Sequence, residues 1–104
     1  MKSISNIASV GGGGGGAGSF DTYTLLASNC ALNATTGYYE YSLESDYPVA
    51  SYDIMVGVSG DMDAVVYNQA YKATMVGDDS SNKLICLGTK PTANIPVIVY
   101  VLEK

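Results

Sequence analysis

Residues 95–102 read IPVIVYVL and form the longest apolar stretch of the chain. β-branched residues dominate this stretch, and they favour strands. A strand that is apolar on both sides is typical of a central position in a sheet, and Pro96 is compatible with it because it lies among the first residues. The stretch therefore predicts a buried final strand.

Upstream of this strand, two segments alternate between apolar and polar residues with the period of half-buried strands. Residues 38–44, YYEYSLE, place Tyr39, Tyr41 and Leu43 on one face, and residues 52–58, YDIMVGV, continue the pattern. Residues 20–28 predict a first strand, while residues 73–76 and 83–87 predict a hairpin with a polar tip. We expect a mainly β (α+β) fold: a small antiparallel β-sandwich or open barrel of about six strands with one short helix.

One segment has helical spacing instead. Asp61 is a good N-cap candidate, and a helix is predicted from about Met62 to Tyr71. We expect the side chains that recur at helical spacing to face the core. These residues are Met62, Val65, Val66, Gln69, Ala70 and Ala73.

A glycine-rich run divides the chain into two unequal parts. Residues 11–16 are six consecutive glycines, followed by Ala17 and Gly18. Because glycine has no side chain to bury, residues 11–18 are expected to act as a linker between a peptide of residues 1–10 and a β-rich domain of residues 19–104. The peptide carries Ile4, Ile7 and Val10 as candidate anchor residues for docking on another protein. A terminal segment without a role is the open alternative.

The composition excludes several classes of function. The chain of 104 residues has no His, Arg or Trp and a net charge of -5. Without His the chain has no imidazole to act as a base or as a metal ligand. Without clustered cations it has little affinity for nucleic acid. We predict no enzymatic activity, no cofactor and no metal. The acidic pairs 61/63 and 78/79 are expected to serve turns and helix starts, with a calcium loop at residues 78–82 as the weaker alternative.

The chain shows no secretory signal and no stretch long enough for a membrane helix, so we expect it to be made and kept in the cytoplasm, or released by a route other than secretion. Cys30 and Cys86 are its two cysteines. In a protein that is not secreted they are expected to be reduced and to pack as small apolar side chains.

Tyrosine is the dominant aromatic residue, with nine Tyr against one Phe. A tyrosine combines an apolar ring with a hydroxyl that seeks a partner, which suits interfaces as well as the boundary positions of a sheet. Tyr38, Tyr39, Tyr41 and Tyr47 are the candidate surface contacts. The other interpretation is that the tyrosines only fill exposed and boundary positions of a small sheet.

The C-terminal third carries a recognisable pattern: Lys90, Pro91 and Thr92, then Ile95 and Pro96 leading into the last strand. It resembles the small C-terminal domain of tail-fibre and head-fibre proteins from phages of gut bacteria, over about residues 20–104. The resemblance implies a non-enzymatic virion protein, a capsid decoration or head-fibre subunit, that forms a trimer or another symmetric oligomer and binds capsid or tail proteins. A tail or baseplate component, and a free carbohydrate-binding or adhesin module that contacts cell-surface glycans, are the alternatives.

Overall fold

Two four-stranded sheets and one helix make up the part of the chain that the structure, a computed structural model, describes: residues 2–3, 18–59, 62–78 and 80–104. In chain order the elements are β1 (Lys2–Ser3), β2 (Gly18–Leu25), a 3-10 turn (Ala27–Asn29), β3 (Cys30–Leu32), β4 (Tyr39–Ser42), β5 (Tyr52–Val58), α1 (Ala64–Ala73), β6 (Met75–Asp78), β7 (Lys83–Cys86) and β8 (Ile95–Glu103). The predicted mainly β fold with one short helix is confirmed, and it is sandwich-like rather than a closed barrel.

The first sheet, called here the β8 sheet, has the strand order β1-β5-β8-β2. β8 lies between β5 and β2 and is antiparallel to both, while β1 runs parallel to β5. The prediction of a buried final strand is thus confirmed. Pro96 lies beside the end of β5, where its carbonyl accepts from the Ser59 N–H at 3.1 Å.

The second sheet, called the β7 sheet, has the order β3-β4-β7-β6, and every pairing in it is antiparallel. It contains the predicted hairpin of β6 and β7. Residues 20–28 were predicted as one strand, but β2 ends at Leu25, and β3 was not predicted. After Leu25 the chain makes a 3-10 turn and crosses to the other sheet, because Leu25 is buried at the end of β2 and Cys30 is buried at the start of β3.

The core fills the space between the two sheets. From the β8 sheet it receives alternate residues of β8, of which Val99 is fully buried, together with Ile54 and Leu25. The β7 sheet contributes Tyr41 and Leu84. These side chains follow the two-residue period, so the alternation read from the sequence gives the correct inward face for β4 and β5.

The helix begins two residues later than predicted. Asp61 lies outside the described residues; the N-cap is Asp63, whose Oδ1 accepts from the Val66 N–H at 3.0 Å. With this start the inward face carries Val66, Ala70 and Ala73, which are spaced by four and three residues. Val65 was expected in the core, but it points to solvent and is 69% exposed.

The C-terminal end of α1 is held by the chain that leaves β7. The N–H of Gly88 donates to the Ala73 carbonyl, and the N–H of Thr89 donates to the Lys72 carbonyl, each at 2.9 Å. A side chain at position 88 would collide with that Lys72 carbonyl, so only glycine allows this approach. These bonds satisfy carbonyls that a helix end otherwise leaves without partners.

The Lys-Pro-Thr segment fixes the same region. Gln69 on α1 accepts the backbone N–H groups of Thr92 and Ala93 through its Oε1, at 2.8 and 2.9 Å. Pro91 is buried, and Ile95 is fully buried at the start of β8. Residues 90–96 therefore attach the last strand to the helix.

Thr74 ends the helix in the left-handed region, with φ 49° and ψ 63°. A β-branched residue pays a steric penalty there that glycine avoids. We expect Thr74→Gly to raise the free energy of unfolding by about 1 kcal/mol, after allowance for the greater chain entropy of glycine. Urea unfolding followed by circular dichroism measures this change. Thr24→Gly, within β2 and at an ordinary extended position, is the control and should lower stability; a loss for both variants would contradict the assignment of strain to Thr74.

Candidate binding cleft

A cleft of about 460 Å³ opens at one end of the sandwich. Inward-facing residues of β2, β5 and β8 form one wall, and the loop between β4 and β5 forms the other. Its lining residues are Gly18, Ser19, Asp21, Asp46, Tyr47, Tyr52, Val101 and Glu103. Three of them are carboxylates and none is a cation, so the cleft is both acidic and aromatic. We call it the tyrosine cleft.

Two phenol–carboxylate hydrogen bonds fix the tyrosines of this region. The Tyr47 hydroxyl donates to Asp21 Oδ2 at 2.9 Å, and the Tyr23 hydroxyl donates to Asp46 Oδ2 at 2.6 Å. Each bond joins β2 to the loop. The rings also pack on one another, with the Tyr47 centroid 5.8 Å from Tyr23 and 6.4 Å from Tyr52, within the usual range of aromatic pairs. These hydrogen bonds and ring contacts therefore hold the loop between β4 and β5 against β2 and β5.

These hydrogen bonds are stable against deprotonation. Burial, followed by the hydrogen bond to Asp46, raises the pKa of Tyr23 to about 12. Burial and the bond to Asp21 raise the pKa of Tyr47 above its usual value. Because a raised phenol pKa favours the protonated form in the folded state, this contribution to stability is complete below pH 10 and is lost only as the pH rises through the folded-state pKa. Both phenols remain donors at neutral pH.

Asn82 positions the loop that carries the cleft. Its side chain is buried, and its Nδ2 donates to the carbonyls of Tyr47 at 2.8 Å and Tyr52 at 3.2 Å. The main-chain carbonyl of Asn82 accepts from the Leu43 N–H at 2.9 Å. Asn82 stands at φ 46°, a left-handed conformation that asparagine tolerates better than most residues. A single hairpin residue thus holds both ends of the loop between Leu43 and Tyr52.

The four tyrosines predicted as surface contacts occupy different environments. Tyr38 is exposed, and Tyr39 is half-buried with Lys90 Nζ 5.0 Å from its ring centroid. Tyr47 lies in the cleft wall but is buried, with 9% of its surface exposed, so it offers little of the predicted surface contact. The prediction for Tyr41 is wrong, because its side chain points between the sheets and is 2% exposed. The four residues therefore do not form one surface.

The candidate anchor residues Ile4, Ile7 and Val10 lie outside the described residues, as does the linker up to Ala17. Gly18 begins β2, and a side chain there would collide with the Tyr100 ring. This glycine is required for packing at the strand start.

Sequence reasoning missed Tyr23, Tyr52 and Asp46 as parts of the site. The alternation of β2 could have paired Asp21 with Tyr23, because residues two apart share one face of a strand. Asp46 is in a loop, and no periodic signal links it to either tyrosine.

The two cysteines flank β4 from opposite sides. Cys30 pairs in register with Tyr41, and Cys86 pairs with Tyr39. Both are free and buried, as predicted. Burial and the neighbouring Cys30 raise the pKa of Cys86 to about 12. A hydrogen bond with the Cys30 thiol contributes to this rise, so the two thiols lie next to each other in the core although their strands are not paired.

Within the described ranges, no three Cys, Asp or Glu side chains come together as a metal-ligand group. Asp78 is instead used locally, as expected for a turn, because its Oδ1 accepts from the backbone N–H of Ser80 at 2.9 Å and from the Ser80 hydroxyl at 2.6 Å. These bonds lower the pKa of Asp78. No described helix has the length and apolar character to cross a membrane.

The burial of both cysteines predicts chemical inertness. We expect neither thiol of the native protein to react with a disulfide reagent at neutral pH, and both to react after unfolding in guanidinium, because both thiols are shielded and the Cys86 thiolate is disfavoured. Thiol counting after treatment with an oxidant should still give two free thiols. Thr35→Cys, at an exposed turn, is the positive control for labelling. An internal disulfide in protein that keeps its native circular dichroism would contradict this prediction.

The role of Asn82 predicts two distinct losses of stability. Asn82→Gly keeps the left-handed backbone but removes both donations, and we expect it to cost about 2 kcal/mol of unfolding free energy. Asn82→Asp has similar size but sets a carboxylate against two carbonyls, so its cost at neutral pH should be larger. Urea unfolding measures both. Asn68→Asp, on the exposed side of α1, is the control and should change stability by less than about 0.5 kcal/mol.

No known family model, no curated protein sequence and no solved structure matches this chain. The assignment of a site therefore depends on the geometry of the chain's own residues, and the tyrosine cleft is the arrangement with the clearest chemical character. A wall of rigid phenols and carboxylates offers apolar ring faces beside fixed hydrogen-bond acceptors. By its chemistry, such a surface suits a polyhydroxylated, uncharged or cationic ligand better than an anionic one.

Proposed function

We propose that this chain is a non-enzymatic structural protein of a phage particle, a capsid decoration or head-fibre subunit that displays the tyrosine cleft to cell-surface glycans. The observation that carries the proposal is the cleft itself. Its tyrosines are held by carboxylates and by Asn82 before any ligand arrives, so little ordering entropy is lost when a ligand binds. The particle context is supported by the resemblance of residues 90–96 to phage fibre domains.

The chemistry of the cleft suits a sugar ring. The C–H face of a pyranose can pack on the ring of Tyr52, while its hydroxyl groups can donate to free lone pairs of Asp21 and Asp46. A carboxylate whose one oxygen already accepts a phenol retains further acceptor sites. An acidic ligand such as a nucleic acid or a sialylated glycan would be repelled. We therefore propose neutral oligosaccharides as the ligand class.

Display on a particle compensates for a weak single site. One small cleft gives a modest affinity, whereas many copies on one symmetric particle bind a glycan-coated surface collectively. In this proposal residues 1–10 attach the domain, with Ile4, Ile7 and Val10 as the anchor, and residues 11–18 set its distance from the particle. A free carbohydrate-binding module, which the same cleft would serve, is the second candidate.

Glycan binding is tested on an array of neutral and acidic oligosaccharides with the full chain in multivalent form. We expect selective binding of neutral glycans, and loss of about tenfold or more in affinity for Tyr52→Ala, since truncation of an aromatic contact commonly costs more than 1 kcal/mol. Tyr67→Ala removes an exposed tyrosine from α1, outside the cleft, and is the matched control. Equal binding by both variants would exclude the cleft as the glycan site.

Attachment is tested separately by co-purification with phage particles. The triple substitution Ile4→Ser, Ile7→Ser and Val10→Ser should abolish co-purification and leave glycan binding intact. Ser5→Ala with Ser9→Ala is the control. Glycan binding without any association of the unaltered chain with particles would favour the free module.

A further inference from the structure

β2 is an edge strand among the described residues, and it is long. It has eight residues, pairs only with β8, and its Phe20, Thr22 and Thr24 side chains are exposed on the outer face of the β8 sheet. Phe20 is 59% exposed and packs edge-on against Tyr100, with the ring centroids 5.1 Å apart. An edge of this length presents a row of main-chain groups to a further strand.

The register identifies those main-chain groups. The Ser59 N–H donates to the Pro96 carbonyl, which continues the β5–β8 ladder. Bonded and non-bonded pairs alternate in an antiparallel ladder, so even-numbered residues of β8 bond to β5 and odd-numbered residues bond to β2. The main-chain groups of Val97 therefore hydrogen-bond to those of Tyr23, and the main-chain groups of Val99 hydrogen-bond to those of Asp21. The groups of the even-numbered residues of β2, from Gly18 to Thr24, point to the free edge.

The usual protections of an edge are missing from β2. The strand contains no proline and no lysine, and its register with β8 runs without a bulge. Its one charged residue is Asp21, which faces inward and accepts the Tyr47 hydroxyl. No charge therefore projects from the outer face of this edge.

We propose that β2 pairs antiparallel with β2 of a second copy of this chain, about a two-fold axis through Thr22, so that two β8 sheets become one continuous sheet. The pairing must match outward main-chain groups, which requires even-numbered residues to stand opposite even-numbered residues. A partner strand must also place no carboxylate opposite Asp21. A second copy of β2 meets both conditions.

The position of the axis follows from charge and length. With the axis at Asp21, two carboxylates would stand directly opposite each other, which is destabilising. With the axis at Phe20, only residues 18–22 would pair. With the axis at Thr22, Asp21 stands opposite Tyr23, Phe20 stands opposite Thr24, and the strand pairs along its length. This last register avoids like charges and uses the most hydrogen bonds.

The inference goes beyond the proposed function and does not depend on glycan binding or on a particle. It replaces the expected trimer with a two-fold dimer as the basic unit. An isologous contact of this kind closes after two copies, because each β2 has one free edge.

The test places a charged residue at the two-fold axis and measures the mass of the protein by size-exclusion chromatography with light scattering. We expect the unaltered chain to give the mass of two copies at high concentration. Thr22→Lys and Thr22→Glu should each weaken the dimer by about fivefold or more, because identical charges then stand opposite each other. An equimolar mixture of the two variants should restore dimers, since opposite charges then pair. Thr35→Lys, at the exposed turn, is the matched control and should remain dimeric.

A cross-link checks the register. Hydrogen-bonded antiparallel pairs have Cα atoms about 5.5 Å apart, which a disulfide can bridge. Thr22→Cys should therefore form a covalent dimer on oxidation, whereas Thr35→Cys should not. A monomer or trimer mass for the unaltered chain, a dimer unaffected by Thr22→Lys, or no recovery in the mixture would each overturn the proposal. Far-ultraviolet circular dichroism of every variant separates loss of pairing from loss of folding.

Discussion

The buried amide of Asn82 is the interaction on which the shape of the cleft depends. It stands immediately before β7, in the turn of the hairpin, and donates to the carbonyl of Tyr47, within the loop between β4 and β5, and to that of Tyr52, at the start of β5. Leu43 and Tyr47 of this loop pack into the core, and the Asn82 bonds fix the path of the backbone around them. Because buried polar groups are costly without partners, the amide and the two carbonyls require one another. The hairpin and the cleft wall are therefore one structural unit.

The cleft combines stability and recognition in the same residues. The bonds from Tyr23 to Asp46 and from Tyr47 to Asp21 close the loop onto β2, and the same carboxylates supply the acceptors that a ligand would use. A site built in this way is rigid, which favours weak but specific contacts that gain strength from repetition. The edge of β2 lies on the same strand as Asp21 but uses the opposite set of residues. One strand can thus serve the cleft with its odd-numbered residues and self-association with its even-numbered ones.

Most of the sheet could be predicted because alternation and apolar runs report directly on burial. β5 was predicted with its observed bounds, and the face of β4 was correct. The errors arose where a local pattern had two solutions. Asp61 and Asp63 are both capable caps by sequence, and the structure shows Asp63 in that role, with its side chain accepting from the Val66 N–H. Tyr41 was correctly placed on an inward face but was also named as a surface contact, because its sequence pattern does not reveal how completely the β8 sheet covers it.

The sequence by itself determined the class of fold, the central position of β8 and the absence of imidazole chemistry, since each follows from composition or from the spacing of apolar residues. Only the tertiary structure decided which tyrosines meet which carboxylates. Asp21 and Tyr47 are far apart in the chain, as are Asn82 and the two carbonyls that it holds, and no short-range pattern encodes such pairs. Packing of the two sheets brings Asp21 to Tyr47, and the register of β4 with β7, in which Ser42 stands opposite Lys83, places Asn82 beside the loop that follows β4.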